Sequence, residues 1–321
     1  MARADLLIEL VRAGRRGDQA SFQRTVEAMI AEERARHHDV LAERLQDNLR
    51  LNGSGPPVPR SSEETAPGVV ALSPRRTLGQ LVLPALVVSA VEGLIDEQRR
   101  SELLRSYNLE PRHRVLLVGP PGNGKTSLAE AIADALAVPF MVVQYEGVIG
   151  SFLGETATRL HRLFEHVRSR RCVLFFDEFD TLGKERGDIH ETGEIKRVVS
   201  SLLLQIDSLP SYVVVVTATN HAELLDRAVW RRFQLRLNLP RPTSRQITEW
   251  FKRLSTNSGL AIRYEPTKLA SALRGASFSD LEDFTETVMR RLVLGSPDID
   301  SRMVVTDVLK EWRARVVPGR G

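Results

Sequence analysis

The run Gly119-Pro120-Pro121-Gly122-Asn123-Gly124-Lys125-Thr126 brings together the groups that phosphate chemistry needs. Its glycines let successive backbone N–H groups turn toward one anion. Lys125 is placed to reach β- and γ-phosphates, and the Thr126 hydroxyl is a hard oxygen ligand for Mg²⁺. Ser127 follows in the first turn of what reads as a helix. Further along, Val173-Leu174-Phe175-Phe176-Asp177-Glu178 ends an apolar run in two carboxylates. Asp177 would hold Mg²⁺ through water. Glu178 would polarise the attacking water as a general base. The pair points to hydrolysis rather than to binding alone.

Such groups work only if the elements around them deliver them to one place. Val115-Leu116-Leu117-Val118 reads as a buried strand ending at the glycine-rich loop, and Leu128, Ile132 and Leu136 mark the helix that the loop opens. That helix would turn its positive dipole end to the phosphates. Further strands are expected at Phe140–Val143, Cys172–Phe176, Val213–Thr217 and Leu235–Leu239. A helix carries Leu160, Leu163, Phe164 and Val167 on one face, and another carries Leu202, Leu203 and Ile206. Apolar strands alternating with helices imply a parallel sheet covered on both faces, an α/β fold. From Thr243 onward the segments read as helices.

The N-terminal end differs. Residues 1–51 read as a helical recruitment or docking region, with Leu6, Leu7, Leu10 and Val11, then Phe22, Val26, Met29 and Ile30, at helical spacing. Residues 52–76 are rich in proline, glycine and serine and read as a flexible linker. The expected organisation is 1–51 helical region, 52–76 linker, 77–241 α/β nucleotide domain and 242–321 α-helical lid. His37 and His38 are adjacent, point different ways on a helix and read as part of a solvated face.

Composition narrows the class. The chain has 321 residues, 42% of them hydrophobic, which fits a globular protein of about two domains. Lys and Arg number 45 against 41 Asp and Glu, an excess too small to argue for nucleic acid. The single cysteine, Cys172, excludes an intrachain disulfide and a zinc site built on cysteines, and its apolar neighbours make it a core residue. The longest mostly apolar stretch, Val82 to Ile95, is interrupted by Pro84 and Glu92 and is too short to cross a bilayer. No signal peptide is read at Met1. A cytoplasmic protein with no membrane contact is expected.

With these residues in this order the sequence resembles the AAA+ ATPases, within them the AAA clade in its narrow sense, from about Leu78 to Leu294. The resemblance implies ATP and Mg²⁺ as ligands and a P-loop sheet with a helical lid. Asn220, after Thr217-Ala218-Thr219, resembles sensor 1, which bonds the γ-phosphate or the lytic water. Arg231 and Arg232 resemble arginine fingers, which act on the neighbouring subunit's nucleotide and imply a homo-oligomeric ring, a hexamer in the family. Phe152 and Leu153, within Gly150-Ser151-Phe152-Leu153-Gly154-Glu155, resemble the pore loop that grips a threaded polypeptide. Gly183 to Gly193 is positioned like a second pore loop. Gln144 matches the polar residue that switches the catalytic glutamate. Gly275-Ala276-Ser277-Phe278-Ser279-Asp280-Leu281 resembles the lid motif near adenine, with Phe278 and Ser279 as departures. No arginine follows before Arg290, unlike loader relatives.

The expected function is therefore an ATP-hydrolysing motor that remodels or unfolds protein substrates. No H-E-x-x-H or G-x-S-x-G occurs in the sequence, so any proteolysis would fall to a separate partner protease. A nucleic-acid-associated loader or transposition helper is the alternative, resting on Arg-rich stretches such as Arg168 to Arg171. The aromatic loop and the missing lid arginine count against it. A third reading, a slow ATP-binding switch, is opposed by the full set of hydrolytic residues.

Overall fold

In a computed structural model, residues 6, 19–35, 42, 68–148, 153–182, 199–257, 264–295 and 300–316 are described. Among the described residues six strands form one sheet: β1 (Val69–Leu72), β2 (Arg114–Val118), β3 (Phe140–Val143), β4 (Cys172–Phe176), β5 (Val213–Thr219) and β6 (Leu235–Asn238). Their spatial order is β1-β3-β4-β5-β2-β6. All pairings are parallel except that of β1 with β3.

The side chains of the central strands alternate between two apolar layers, as the period of a strand requires. On one face Leu116, Leu174, Phe176 and Val215 meet Leu160, Leu163, Phe164 and Val167 of the helix Leu153–Arg168 and Leu202, Leu203 and Ile206 of the helix over 199–207. On the other, Val115, Leu117, Phe175 and Val216 meet Val87, Val91, Leu94 and Ile95 of Ala85–Arg99 and Leu128 and Ile132 of Lys125–Leu136. β5 is buried along its whole length, so it needs apolar residues on both faces, and Val213-Val214-Val215-Val216 provides them. Cys172 is fully buried, as expected, and burial pushes its thiol up to about 12.

β1 lies where the sequence reads as linker. Val69 to Leu72 pair with Val143 to Phe140 in antiparallel register, so the linker ends in an edge strand. A four-residue strand has too weak a pattern to show beside prolines and glycines. Residues 52–67 lie outside the described residues, as do His37 and His38. Of the N-terminal helical region, Gln19–Ala35 is helical, and its Val26 and Ile30 form a small cluster with Ala42.

The lid has its own core. Ile247 and Phe251 of Ser244–Asn257, Leu269 of Pro266–Ala272, Leu281, Phe284 and Val288 of Phe278–Leu294, and Val305 and Val308 of Ser301–Val316 pack together. Ser277 caps the third of these helices. Its side chain accepts from the Asp280 N–H, and the Asp280 carboxylate accepts from the Ser277 N–H at 2.7 Å, a reciprocal capping box. Among the described residues no helix is long and apolar enough to cross a membrane.

Candidate active site

The strand order positions the site. β5 sits between β4 and β2, so the end of β5 lies between the carboxylates that leave β4 and the loop that leaves β2. Gly119 turns the chain out of β2 at φ +150°, and a Cβ there would stand 2.2 Å from the Leu239 carbonyl oxygen. Only glycine lets the end of β6 pass this close. Gly122, at φ +74°, faces the lid: its Cβ would stand 2.7 Å from Ser277 Oγ. Its carbonyl accepts from the Ser279 N–H at 3.0 Å. The departures at Phe278 and Ser279 thus fall where loop and lid touch.

Lys125 opens its helix and is 7% exposed. Nζ donates to the carbonyls of Gly119 (2.7 Å) and Pro120 (3.0 Å) and to Asn220 Oδ1 (2.7 Å). Burial lowers the Lys125 pKa, while the charges of Asp177 and Asp180 oppose that shift. Asn123 is buried and braces the loop, Nδ2 donating to the Pro120 carbonyl at 3.2 Å. Thr126 Oγ1 donates to Asp177 Oδ2 at 3.0 Å, and the Glu178 N–H donates to Asp177 Oδ1 at 2.9 Å. Glu178 is exposed, with its backbone at φ +46°. A non-glycine residue held there costs about 1–3 kcal/mol, and such strain clusters at working sites.

Lys125, Thr126, Asp177, Glu178 and Asn220 therefore come together at one end of the sheet, with Ser127 one residue further along the helix. A hydroxyl and a carboxylate 3.0 Å apart are hard oxygen donors of the kind Mg²⁺ takes. Among the described residues no three His, Cys, Asp or Glu side chains group as a metal cage, so an ion here would complete its shell with phosphate oxygens and water. The loop, the cation and the oxygen pair fit a Mg²⁺-nucleotide.

The two arginines separate. Arg232 is half-buried, and its Nε donates to Asp207 Oδ2 at 2.8 Å, while Arg114 takes the other carboxylate oxygen of Asp207. Arg231, one residue earlier, is exposed and makes no ion pair among the described residues. Both stand on the helix Arg227–Arg232, which an aromatic chain ties to the carboxylate turn. Phe176 and Phe179 meet edge to face at 6.2 Å, as do Phe179 and Phe233. Gln144 is exposed, and its backbone N–H donates to the Gly68 carbonyl at 2.9 Å. Leu153 opens the helix Leu153–Arg168. Phe152 and the loop from Gly183 to Gly193 lie outside the described residues. Arg290 pairs with Glu286 at 2.7 Å, one turn away on its own helix.

Sequence reasoning missed Asp180. It is 2% exposed, and its Oδ1 accepts from Thr219 Oγ1 at 2.9 Å. Thr219 Oγ1 in turn accepts from the His221 N–H at 3.0 Å. This bracket fixes both flanks of Asn220 to the carboxylate turn. A third carboxylate, two residues beyond Glu178 and next to Phe179, was the available signal. Tyr145 was missed as well; it sits beyond the end of β3 with its hydroxyl buried.

The residues of this site lie within a stretch that known proteins share. Residues 115–241 match the family model described as "ATPase family associated with various cellular activities (AAA)". An uncharacterized AAA family ATPase, y4kL, from Sinorhizobium fredii is 35% identical over 305 residues, covering 92% of this chain and 90% of that protein. The chain belongs to the AAA ATPase family. This AAA ATPase is also similar to a cell division cycle protein 48 homolog from Archaeoglobus fulgidus, 35% identical over 56% of this chain and 25% of that protein. A proteasome-activating nucleotidase from Methanopyrus kandleri is 33% identical over 57% of this chain and 44% of that protein. These two matches span less than half of the relatives' own length. The chain is an ATPase built on a P-loop α/β fold.

Proposed function

We propose that this ATPase assembles as a homo-oligomeric ring, a hexamer, in the cytoplasm, and uses ATP hydrolysis to remodel or unfold protein substrates drawn past Phe152 and Leu153. The observation that carries the reading is Arg231: an exposed guanidinium with no ion-pair partner among the described residues, on a helix packed against the carboxylate turn. A neighbouring subunit's nucleotide is a natural partner for such a group, since a guanidinium is suited to transferring phosphoryl charge. Arg231, rather than the anchored Arg232, is the principal finger on this reading. The likeness to a cell division cycle protein 48 homolog and a proteasome-activating nucleotidase supports a protein substrate.

Within one subunit, the loop Gly119–Thr126 binds the phosphates, and Lys125 turns from its loop carbonyls to the β- and γ-phosphates. Thr126 and Asp177 would hold Mg²⁺, which would neutralise phosphate charge. Glu178 takes a proton from the attacking water. Asn220 orients that water or the γ-phosphate. Degradation, where it follows, falls to a separate protease.

The test uses Glu178→Gln as a trap. Turnover should fall roughly 10²- to 10⁴-fold while ATP binding persists. The variant, isolated in ATP from its native cells, should carry polypeptide that mass spectrometry identifies. Changing Phe152 to Ala as well should empty it. Bound nucleic acid without polypeptide would replace this reading with the loader. Normal turnover in Glu178→Gln would remove Glu178 as the base.

A further inference from the structure

The chain passes from the sheet to the lid at a joint beside the phosphate loop. The Leu239 N–H donates to the Val118 carbonyl at 2.7 Å, and its own carbonyl lies against Gly119. Pro240-Arg241-Pro242 follows, and the first lid helix, Ser244–Asn257, begins. A second link lies further along that helix. Arg253 Nη1 donates to the carbonyls of Gly79 (2.9 Å) and Leu81 (3.1 Å), while Nη2 donates to Glu249 one turn back. This divided use of one fork suits arginine. At 1.5 Å per residue, Arg253 stands about 13 Å from the start of the helix, so the tie fixes how the helix tilts at the joint.

The far end of the tie belongs to the nucleotide domain. Leu78, Leu81 and Leu83 pack against the core that holds Leu117, Leu128 and Ile132. The Thr77 N–H donates to Gln80 Oε1 at 3.0 Å and closes the turn Leu78–Gln80. Just before it, the Arg75 and Arg76 N–H groups donate to Glu130 of the helix that the phosphate loop opens. The lid end is equally continuous. Phe251, two residues before Arg253, meets Phe284 edge to face at 6.3 Å, and Phe284 lies on the helix Phe278–Leu294. The start of that helix touches the phosphate loop: the Ser279 N–H donates to the Gly122 carbonyl at 3.0 Å, and Ser277 Oγ stands 2.7 Å from where a Gly122 Cβ would be. We propose that Arg253 is a positioning residue for the nucleotide: by holding Gly79 and Leu81 it seats the lid on Gly122, and so sets how long nucleotide stays on the loop. The proposal rests on nucleotide binding at Gly119–Thr126, which loss of binding in Lys125→Ala tests separately, and not on the ring or on threading.

The test compares Arg253→Gln with the wild type, using fluorescent mant-ADP with Mg²⁺ as the probe. From the variant, mant-ADP should dissociate about fivefold faster, the worth of a partly exposed hydrogen bond. KM for ATP should rise to a similar degree, with kcat within about twofold. Hydrogen–deuterium exchange reads the seating directly. A peptide covering Ser277 to Leu281 should exchange faster, because the Ser279 N–H has lost its hold on Gly122. One covering Val304 to Leu309, inside the lid core, should exchange as in the wild type. Unchanged dissociation and unchanged KM would overturn the proposal. So would a fall in kcat at constant KM. Faster exchange across Val304 to Leu309 with a lowered Tm would overturn it too, making Arg253 a residue of lid folding.

Discussion

Lys125 donates to two carbonyls of its own loop and to Asn220, so one side chain links the strand that begins the site to the strand that completes it. The same economy recurs at Asp207, whose two oxygens take Arg114 and Arg232. Buried groups without such partners set the pH response. His113 is 7% exposed; Nδ1 donates to the Pro111 carbonyl at 3.3 Å, and Nε2 has no partner among the described residues. Burial, helped by the Arg114 charge, holds its pKa below 6.5, against the weaker pull of Pro111, Glu110 and Asp207. The unfolded chain therefore takes up the proton more readily than the folded one. Stability is complete above about pH 6.5 and falls as the pH drops below it. The urea midpoint should be lower at pH 5.5 than at pH 7.5, and His113→Gln should flatten that difference. Carboxylates such as Glu97, with a lowered pKa, act only at more acid pH. Equal midpoints for the wild type at both values would contradict the argument.

At the scale of elements, β1 is the piece that joins the N-terminal region to the machine. It covers the open edge of β3, the strand that leads to Tyr145 and on toward Phe152. Just after it, the Arg75 and Arg76 N–H groups donate to Glu130, Arg76 pairs with Glu282 of the lid at 2.7 Å, and the Gly79 and Leu81 carbonyls accept from Arg253. The Arg76–Glu282 pair is about half exposed on both sides, so it contributes little by itself. The paired strand matters more, since an uncovered edge offers unpaired N–H and C=O groups to other chains. A chain starting at Gly68 should keep nearly the full Tm and stay dispersed. One starting at Ser73 should lose several degrees and scatter light on warming. Identical behaviour of the two would show that β1 is dispensable.

At the scale of the whole molecule, the question is whether one subunit's site is complete. Every hydrolytic group proposed for the chain converges from its own β2, β4 and β5 ends, whereas Arg231 points to solvent-exposed surface. If a neighbour supplies the finger, Arg231→Ala should bind nucleotide normally and turn over roughly 10³-fold more slowly. Mixing it with Glu178→Gln should restore part of the turnover, because an intact Glu178 then meets an intact Arg231 across a mixed interface. No recovery on mixing, with both variants assembled, would place the arginine's action within one chain.

The phosphate loop and the carboxylate pair were legible because each is a local device. Strand, loop and helix follow one another in Val115 to Leu136, and the spacing from Gly119 to Thr126 is fixed by the chain itself. The resemblance singled out Asn220 and the two arginines by their order along the chain, which is local in the same way. Other features depended on contacts between distant segments. The insertion of β5 between β4 and β2 brings Asn220 onto Lys125, and no periodicity encodes that order. Asp207 takes Arg232 and leaves Arg231 exposed, a choice between adjacent identical residues that only packing makes. Val69–Leu72 is too short to announce itself and becomes a strand because β3 offers an edge. Tyr145 reads as an ordinary residue at a strand end until the fold buries its hydroxyl. Local spacing is set by covalent geometry and can be read along the chain, whereas burial and partner choice are settled by what the rest of the molecule brings alongside.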